Sequence, residues 1–271
     1  MTSMDDLDCE LEKLRTVVSE YYDTVVNEPA IETVSKDILG QARIASLIAL
    51  VRTITRLVQT DGLTFDKDYL RALSKDEIDK HIESLNAAIE SNESGYVEIN
   101  DKMRKSIEFL QDASSRQYLL PYFVRETHWI SVSLLSASYI SSLVLMRAYF
   151  ELIIGIATRE TGMMNDRILS LPELSMEEKK SLQLLWYRLC AWGHPYGKWF
   201  KEVCPIYLSH KPLYHSRLFN LCLKEFVHLV DFFSVVVINK YGLSLAVVRL
   251  ELAKAKIDVG EFELLYPRLN A

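Results

Sequence analysis

The residues best suited to chemistry in this sequence lie in one stretch, YRLCAWGHPYGKW at 187–199. Arg188 is permanently charged, and its planar guanidinium matches the geometry of phosphate oxygens. His194 can exchange a proton near neutral pH. Together they are a minimal set for phosphodiester cleavage without a metal. The alternative is that a long helix ends here and packs its aromatic residues against a core.

The segment around this pair is basic within an acidic protein. From Lys179 to Arg217 there are seven Lys or Arg and a single acid, Glu202, which gives +6 in a chain of −6. An anionic ligand such as RNA requires a local basic field of this kind, because phosphate contacts supply most non-specific affinity. The alternatives are a basic solvated loop and a segment that docks on the acidic N-terminal part.

A helix at about 176–192 must position Arg188. Ser175 followed by Glu178 is a capping-box signature for a helix that starts at Met176. We expect the helix to end at Gly193, with Pro195 preventing its resumption, and to direct leucines 182, 185 and 189 inward. A charge at a helix end contributes about 0.3–1 kcal/mol, so replacing Arg188 is expected to change stability little.

The remaining elements are also predicted to be helical, so the fold class is all-α. Glycine and proline number only nine and seven in 271 residues, and leucine, isoleucine, alanine, lysine and glutamate are plentiful. The sequence predicts an N-terminal helical subdomain over residues 1–117. A more apolar helical domain follows over 118–271, with long helices at 127–159 and 215–241 and a short C-terminal helix.

The sequence favours a cytoplasmic protein without a membrane span or a cofactor. The four cysteines are dispersed with no zinc-type spacing, and the acidic N-terminus does not resemble a signal peptide. Residues 129–146 contain no charge, but they include six serines and run directly into Arg147 and Glu151. We therefore expect a buried helix of a soluble bundle here. No metal cage or nucleotide-binding loop is visible.

Residues of about 118–242 resemble the HEPN superfamily of helical domains, which includes many toxin and phage-defence ribonucleases. The resemblance is carried by Arg188-x5-His194 near a helix end, since the family signature is R-x(4–6)-H, and by LMRAYFEL, whose Glu151 matches an acidic residue near the signature arginine. Leu189 departs from the polar residue that often follows this arginine. A non-catalytic HEPN-like binding or structural module that docks RNA, a phosphate ligand or an acidic partner protein therefore stays open.

The resemblance implies a metal-independent endoribonuclease of a toxin–antitoxin or anti-phage defence system. His194 would act as general acid or base, Arg188 would hold the phosphate charge, and Glu151 would orient Arg188. Glu151 also lies four residues after Arg147, so a structural ion pair is its alternative explanation. A two-fold homodimer is implied, and an antitoxin or defence-complex protein is a candidate partner.

The residues that we expect to bind RNA lie in the last turn of the 176–192 helix or directly after it. They are Trp192, Tyr196, Lys198 and Lys201. Tyr196 also matches the tyrosine that antitoxins modify in some HEPN toxins, where the pattern is H-x-Y; an ordinary loop tyrosine is the alternative.

Overall fold

The structure is a computed structural model that describes residues 38–60, 74–91, 97–158, 162–172, 174–193, 216–260 and 262–270. Every regular element within these ranges is helical and none is a strand, which confirms the all-α class. In chain order the α-helices are α1 Ile38–Thr60, α2 Lys75–Ser91, α3 Val97–Ser114, α4 Leu120–Leu135, α5 Tyr139–Ala157, α6 Met164–Leu169, α7 Met176–Gly193, α8 Ser216–Lys240, α9 Leu245–Lys254 and α10 Leu265–Asn270.

The chain divides into two compact units. One comprises residues 55–124, and the other comprises residues 1–54 with 125–271. In the first unit α2 packs against α3. The start of α2 is fixed by a capping box in which the backbone N–H of Ser74 donates to Glu77 at 2.7 Å. A π-helical turn, Ser115–Leu119, joins α3 to α4. The predicted domain division at 117/118 stays a prediction.

The larger unit is built around α5, which packs against both α7 and α8. Its apolar residues surround the whole helix, as expected of an element covered on several sides. The ring of Phe150 lies 5.5 Å from that of Trp186 on α7 and 5.4 Å from that of Phe232 on α8. Leucines 182, 185 and 189 are fully buried, which confirms the predicted inward face of α7.

The predicted helix at 127–159 is wrong, because two helices, α4 and α5, occupy that range. Ala137 adopts the left-handed conformation with φ 55°. Its N–H bonds the carbonyl of Leu134 at 3.1 Å, and the N–H of Ser138 bonds that of Ser133 at 2.8 Å. These two bonds form a Schellman cap that ends α4. The chargeless stretch 129–146 therefore spans a helix break.

The predicted end of the long helix at Gly242 is confirmed. Gly242 has φ 61° and closes α8 with the same pair of backbone bonds. Two short helices follow in place of the single C-terminal helix expected. The first turn of α10 is held by Asp231 of α8, a fully buried carboxylate that accepts the backbone N–H groups of Leu264 and Leu265.

Candidate functional site

Arg188 lies in the last turns of α7 and is held by a carboxylate of α8. Its Nη2 donates a hydrogen bond to Oε2 of Glu225 at 2.8 Å. Its Nε lies 2.6 Å from Oε1, which is an ion-pair distance without hydrogen-bond alignment. The side chains are 16% and 7% exposed. The guanidinium is thus held by one carboxylate, and most of the Arg188 side chain is buried.

The local sequence fixes the helix that carries Arg188. The N–H of Ser175 donates to Glu178 at 2.6 Å, and the N–H of Glu178 contacts the hydroxyl of Ser175 at 3.3 Å, so the predicted capping box is confirmed. A further contact at 2.8 Å joins Arg268 to Glu178. The helix ends at Gly193, as predicted. Arg188 is therefore presented five residues before the helix end.

Several expected site residues lie outside the residues that the structure describes. These are His194, Tyr196, Lys198 and Lys201. Trp192 belongs to α7, but its side chain is not among those that the structure describes. The part of the basic segment that is described begins with Lys179, which donates to the carbonyl of Leu169 at 2.9 Å.

The expected contact between Glu151 and Arg188 is not formed. Glu151 pairs with Arg147 at 3.3 Å, and the Arg147 guanidinium lies 5.5 Å from the ring centre of Trp186. At about 100° per residue, Arg188 projects roughly 200° around α7 from Trp186. The Arg147–Glu151 pair of α5 therefore lies against one face of α7, whereas the side chain of Arg188 projects from a different face. The structural ion pair, left open by the sequence, accounts for Glu151.

A second polar contact joins α7 and α8 on the same face as Arg188. Ser181 and Arg188 are seven residues apart, and Glu225 and His228 are three apart, so each pair shares one side of its helix. The Ser181 hydroxyl lies 3.4 Å from Nε2 of His228. We call Ser181, Arg188, Glu225 and His228 the α7–α8 polar cluster.

The imidazole of this cluster is neutral at physiological pH. Burial is the main cause, and together with the positive charges of Arg188 and then Lys224 it lowers the pKa of His228 to about 4. A neutral imidazole can donate with one nitrogen and accept with the other. His228 is thus a hydrogen-bonding group and carries no charge of its own.

Sequence reasoning missed the role of Glu225. Its neighbours Cys222, Leu223 and Phe226 are buried apolar residues, and Glu225 itself is 5% exposed. An acid within such an apolar helix requires a cationic partner, because an unpaired buried charge is costly. The sequence therefore predicts that Glu225 has a cationic partner, but it does not indicate which arginine or lysine that partner is.

Thiol and metal chemistry gain no support from the described part of the chain. No group of three His, Cys, Asp or Glu residues there could hold a metal ion. Burial raises the pKa of Cys190 to about 11, and burial also raises the pKa of Cys222. Both thiols are therefore protonated and poor nucleophiles at neutral pH.

By length and composition, α5 is the one helix among those described that could cross a membrane. Within its apolar window, 44% is buried inside the protein. A core helix of a soluble protein satisfies the same criteria, so this property is weak support for a membrane span.

Comparisons with known proteins give no match. No family model, no curated protein and no solved structure is significantly similar to this chain.

Proposed function

We propose that this protein is a HEPN-like, metal-independent endoribonuclease. The observation that supports the proposal best is the fixed Arg188, held by Glu225 in the last turns of a helix that ends directly before His194. An arginine whose guanidinium is already held by a carboxylate loses less freedom when it binds a phosphate. Glu225 thereby takes the orienting role that the family resemblance assigned to Glu151.

The reaction follows from the two side chains. His194 removes the proton of a ribose 2′-hydroxyl, and the 2′-oxygen attacks the adjacent phosphorus. The bond from phosphorus to the 5′-oxygen breaks, and that oxygen receives a proton. The products are a 2′,3′-cyclic phosphate and a 5′-hydroxyl, and no other reactant is consumed. Arg188 stabilises the charge on the pentavalent phosphate.

Product chemistry tests this reaction directly. The purified protein is incubated with end-labelled RNA in the presence of a chelator, and with the same RNA carrying 2′-O-methyl groups. We expect cleavage of the first RNA to fragments with cyclic phosphate ends and no cleavage of the second. Cleavage of the methylated RNA, or loss of cleavage with chelator, would rule out this mechanism.

A non-catalytic RNA-binding module is the second candidate. It is favoured by the burial of the Arg188–Glu225 pair, because an arginine side chain that is 16% exposed and already paired has little surface left for a substrate. The basic segment 179–217 would then bind phosphates without cleaving RNA. Salt-dependent RNA binding without any product would support this candidate over the enzyme.

We further propose a homodimer, formed through α4, in a toxin–antitoxin or defence setting with a partner protein. Residues of α8 from Phe226 to Ile238 are mostly buried within the larger unit, so they offer little surface to a second copy. By contrast Trp129, Val132 and Leu135 of α4 are between 37% and 52% exposed. These three positions share one side of the helix.

A further inference from the structure

A cleft of about 370 Å³ is lined by residues of α1 and α8 and by Glu263, which lies two residues before α10. Its polar lining consists of Arg43 from α1, Asn220, Lys224 and His228 from α8, and Glu263. All of these residues belong to the larger unit. The volume falls within the range of about 300–1,000 Å³ that is typical of small-molecule sites.

The charge of this lining favours an anion. Its charged lining residues are two cations, Arg43 and Lys224, and one carboxylate, Glu263. Lys224 is exposed on α8. Burial is the main cause of the lowered pKa of His228, and the positive charges of Arg188 and then Lys224 act in the same direction. The charged side chains that line the cleft, Arg43, Lys224 and Glu263, carry a net charge of +1.

The hydrogen-bonding groups also suit a phosphate. Ser181 occupies one nitrogen of His228, which leaves the other nitrogen for a ligand. The side-chain amide of Asn220 and the ammonium of Lys224 supply further donors at the same cleft. Several donors from different side chains, converging around a cation, are the usual means of binding phosphate oxygens.

The remaining wall of the cleft is apolar. It is formed by Leu223 and Val227, one turn apart on α8. A second cavity of about 260 Å³ adjoins it and shares Arg43 and Val227; its lining includes Leu47 and Phe262 and one carboxylate, Asp258. A ligand with a phosphate at Lys224 and a small apolar or ring portion against Val227 would use both surfaces.

We propose that this cleft binds a small phosphate-bearing ligand, with Lys224, Arg43 and His228 around the phosphate and Leu223 and Val227 against the organic portion. Binding at this site does not depend on the cleavage reaction proposed above, although the site shares His228 with the α7–α8 polar cluster. A ligand at His228 would therefore contact that cluster directly.

Calorimetry with three probes tests the site: inorganic phosphate, phenyl phosphate and phenol, at about 0.15 M ionic strength to screen long-range attraction. We expect phenyl phosphate to bind and phenol to give no heat. Inorganic phosphate binding as tightly as phenyl phosphate would identify free phosphate as the ligand, and tighter phenyl phosphate would identify an organic phosphate. Either result supports the phosphate site.

Lys224→Ala should weaken binding of phenyl phosphate at least tenfold, because a charge-assisted contact is lost. Lys105→Ala is the matched control, since Lys105 is another exposed helical lysine, and it should bind as the parent does. NMR titration of the His228 imidazole gives an independent reading: phenyl phosphate should raise its pKa by about one unit, as a nearby anion favours the charged ring.

Absence of binding by both phosphate probes at millimolar concentrations would overturn the proposal. Equal affinity of the Lys224→Ala and Lys105→Ala proteins would also overturn it, as would equal binding of phenol and phenyl phosphate. The His194→Ala protein should bind phenyl phosphate normally. If the parent binds phenyl phosphate and cleaves no RNA, the phosphate site is supported and the ribonuclease proposal is refuted.

Discussion

Separating the ion pair of Arg188 and Glu225 should destabilise the protein strongly. The Glu225 side chain is 7% exposed and that of Arg188 is 16% exposed, so replacing either one leaves a charge largely shielded from water. Breaking a buried pair from one side costs about 3–5 kcal/mol. Because a strip of Arg188 reaches solvent, we expect about 3 kcal/mol for Arg188→Met and a similar value for Glu225→Leu. This replaces the small effect that a helix-end charge alone would predict.

Replacing both residues should remove most of this cost. In Arg188→Met/Glu225→Leu no charge is left buried, and apolar side chains occupy the space, so stability should return to within about 1 kcal/mol of the parent. Denaturant unfolding of the parent, both single variants and the double variant measures the cycle. The double variant should still fail to cleave RNA, because Arg188 is absent; this separates the catalytic role of the pair from its structural role.

Two results would refute this reasoning. If both single variants lose less than about 1 kcal/mol, the pair is solvated and does not fix the guanidinium. If the double variant recovers stability and also cleaves RNA at the parent rate, Arg188 has no part in the reaction. The unfolding free energies and the cleavage rates should be measured on the same preparations.

Three other predictions concern a helix cap, a buried acid and the proposed dimer. Ala137→Gly should raise the unfolding free energy by about 0.5–1 kcal/mol, because the loss of about 1–2 kcal/mol of left-handed strain outweighs the roughly 0.4–1 kcal/mol of entropy that glycine adds to the unfolded chain. Gly242→Ala should lower it, and equal effects of the two would contradict the cap. Burial outweighs the opposing hydrogen bonds from the N–H groups of Leu264 and Leu265 and raises the pKa of Asp231 from 3.8 to about 7, so the folded chain binds a proton that the unfolded chain has released. The stabilisation from Asp231 is complete below about pH 4 and is lost as pH rises through 7. Asp231→Asn should therefore reduce the dependence of the unfolding free energy on pH between these values. An unchanged pH profile would contradict the assignment. Trp129→Arg should convert the dimer to monomers in light scattering, whereas Val247→Arg on α9 should not; a parent that is monomeric at all concentrations would exclude the dimer.

Local signals made part of the fold predictable from the sequence. The capping box of Ser175 and Glu178 and the glycine at 242 act within one or two turns, and the structure bears out both. The break at Ala137 gave no such signal, because alanine rarely adopts positive φ. There the separate packing of α4 and α5 overrides the local preference of the chain.

The site was only partly predictable for a related reason. The ion pair of Arg147 and Glu151 follows from their spacing on one helix. The partner of Arg188 is 37 residues away on α8, so it depends on how two helices approach each other. The sequence indicates that Arg188 and Glu225 each need a partner, but it does not indicate that they meet.

The most direct test of the central claim is the RNA cleavage rate of the parent and of three variants, measured in one assay with chelator present. We predict that His194→Ala and Arg188→Ala reduce the rate by a hundredfold or more, since general acid–base catalysis alone contributes about 10²–10⁴-fold. Arg249→Ala, which removes an exposed arginine of α9, should leave the rate unchanged. An active parent whose His194→Ala variant cleaves RNA at the same rate would contradict the account.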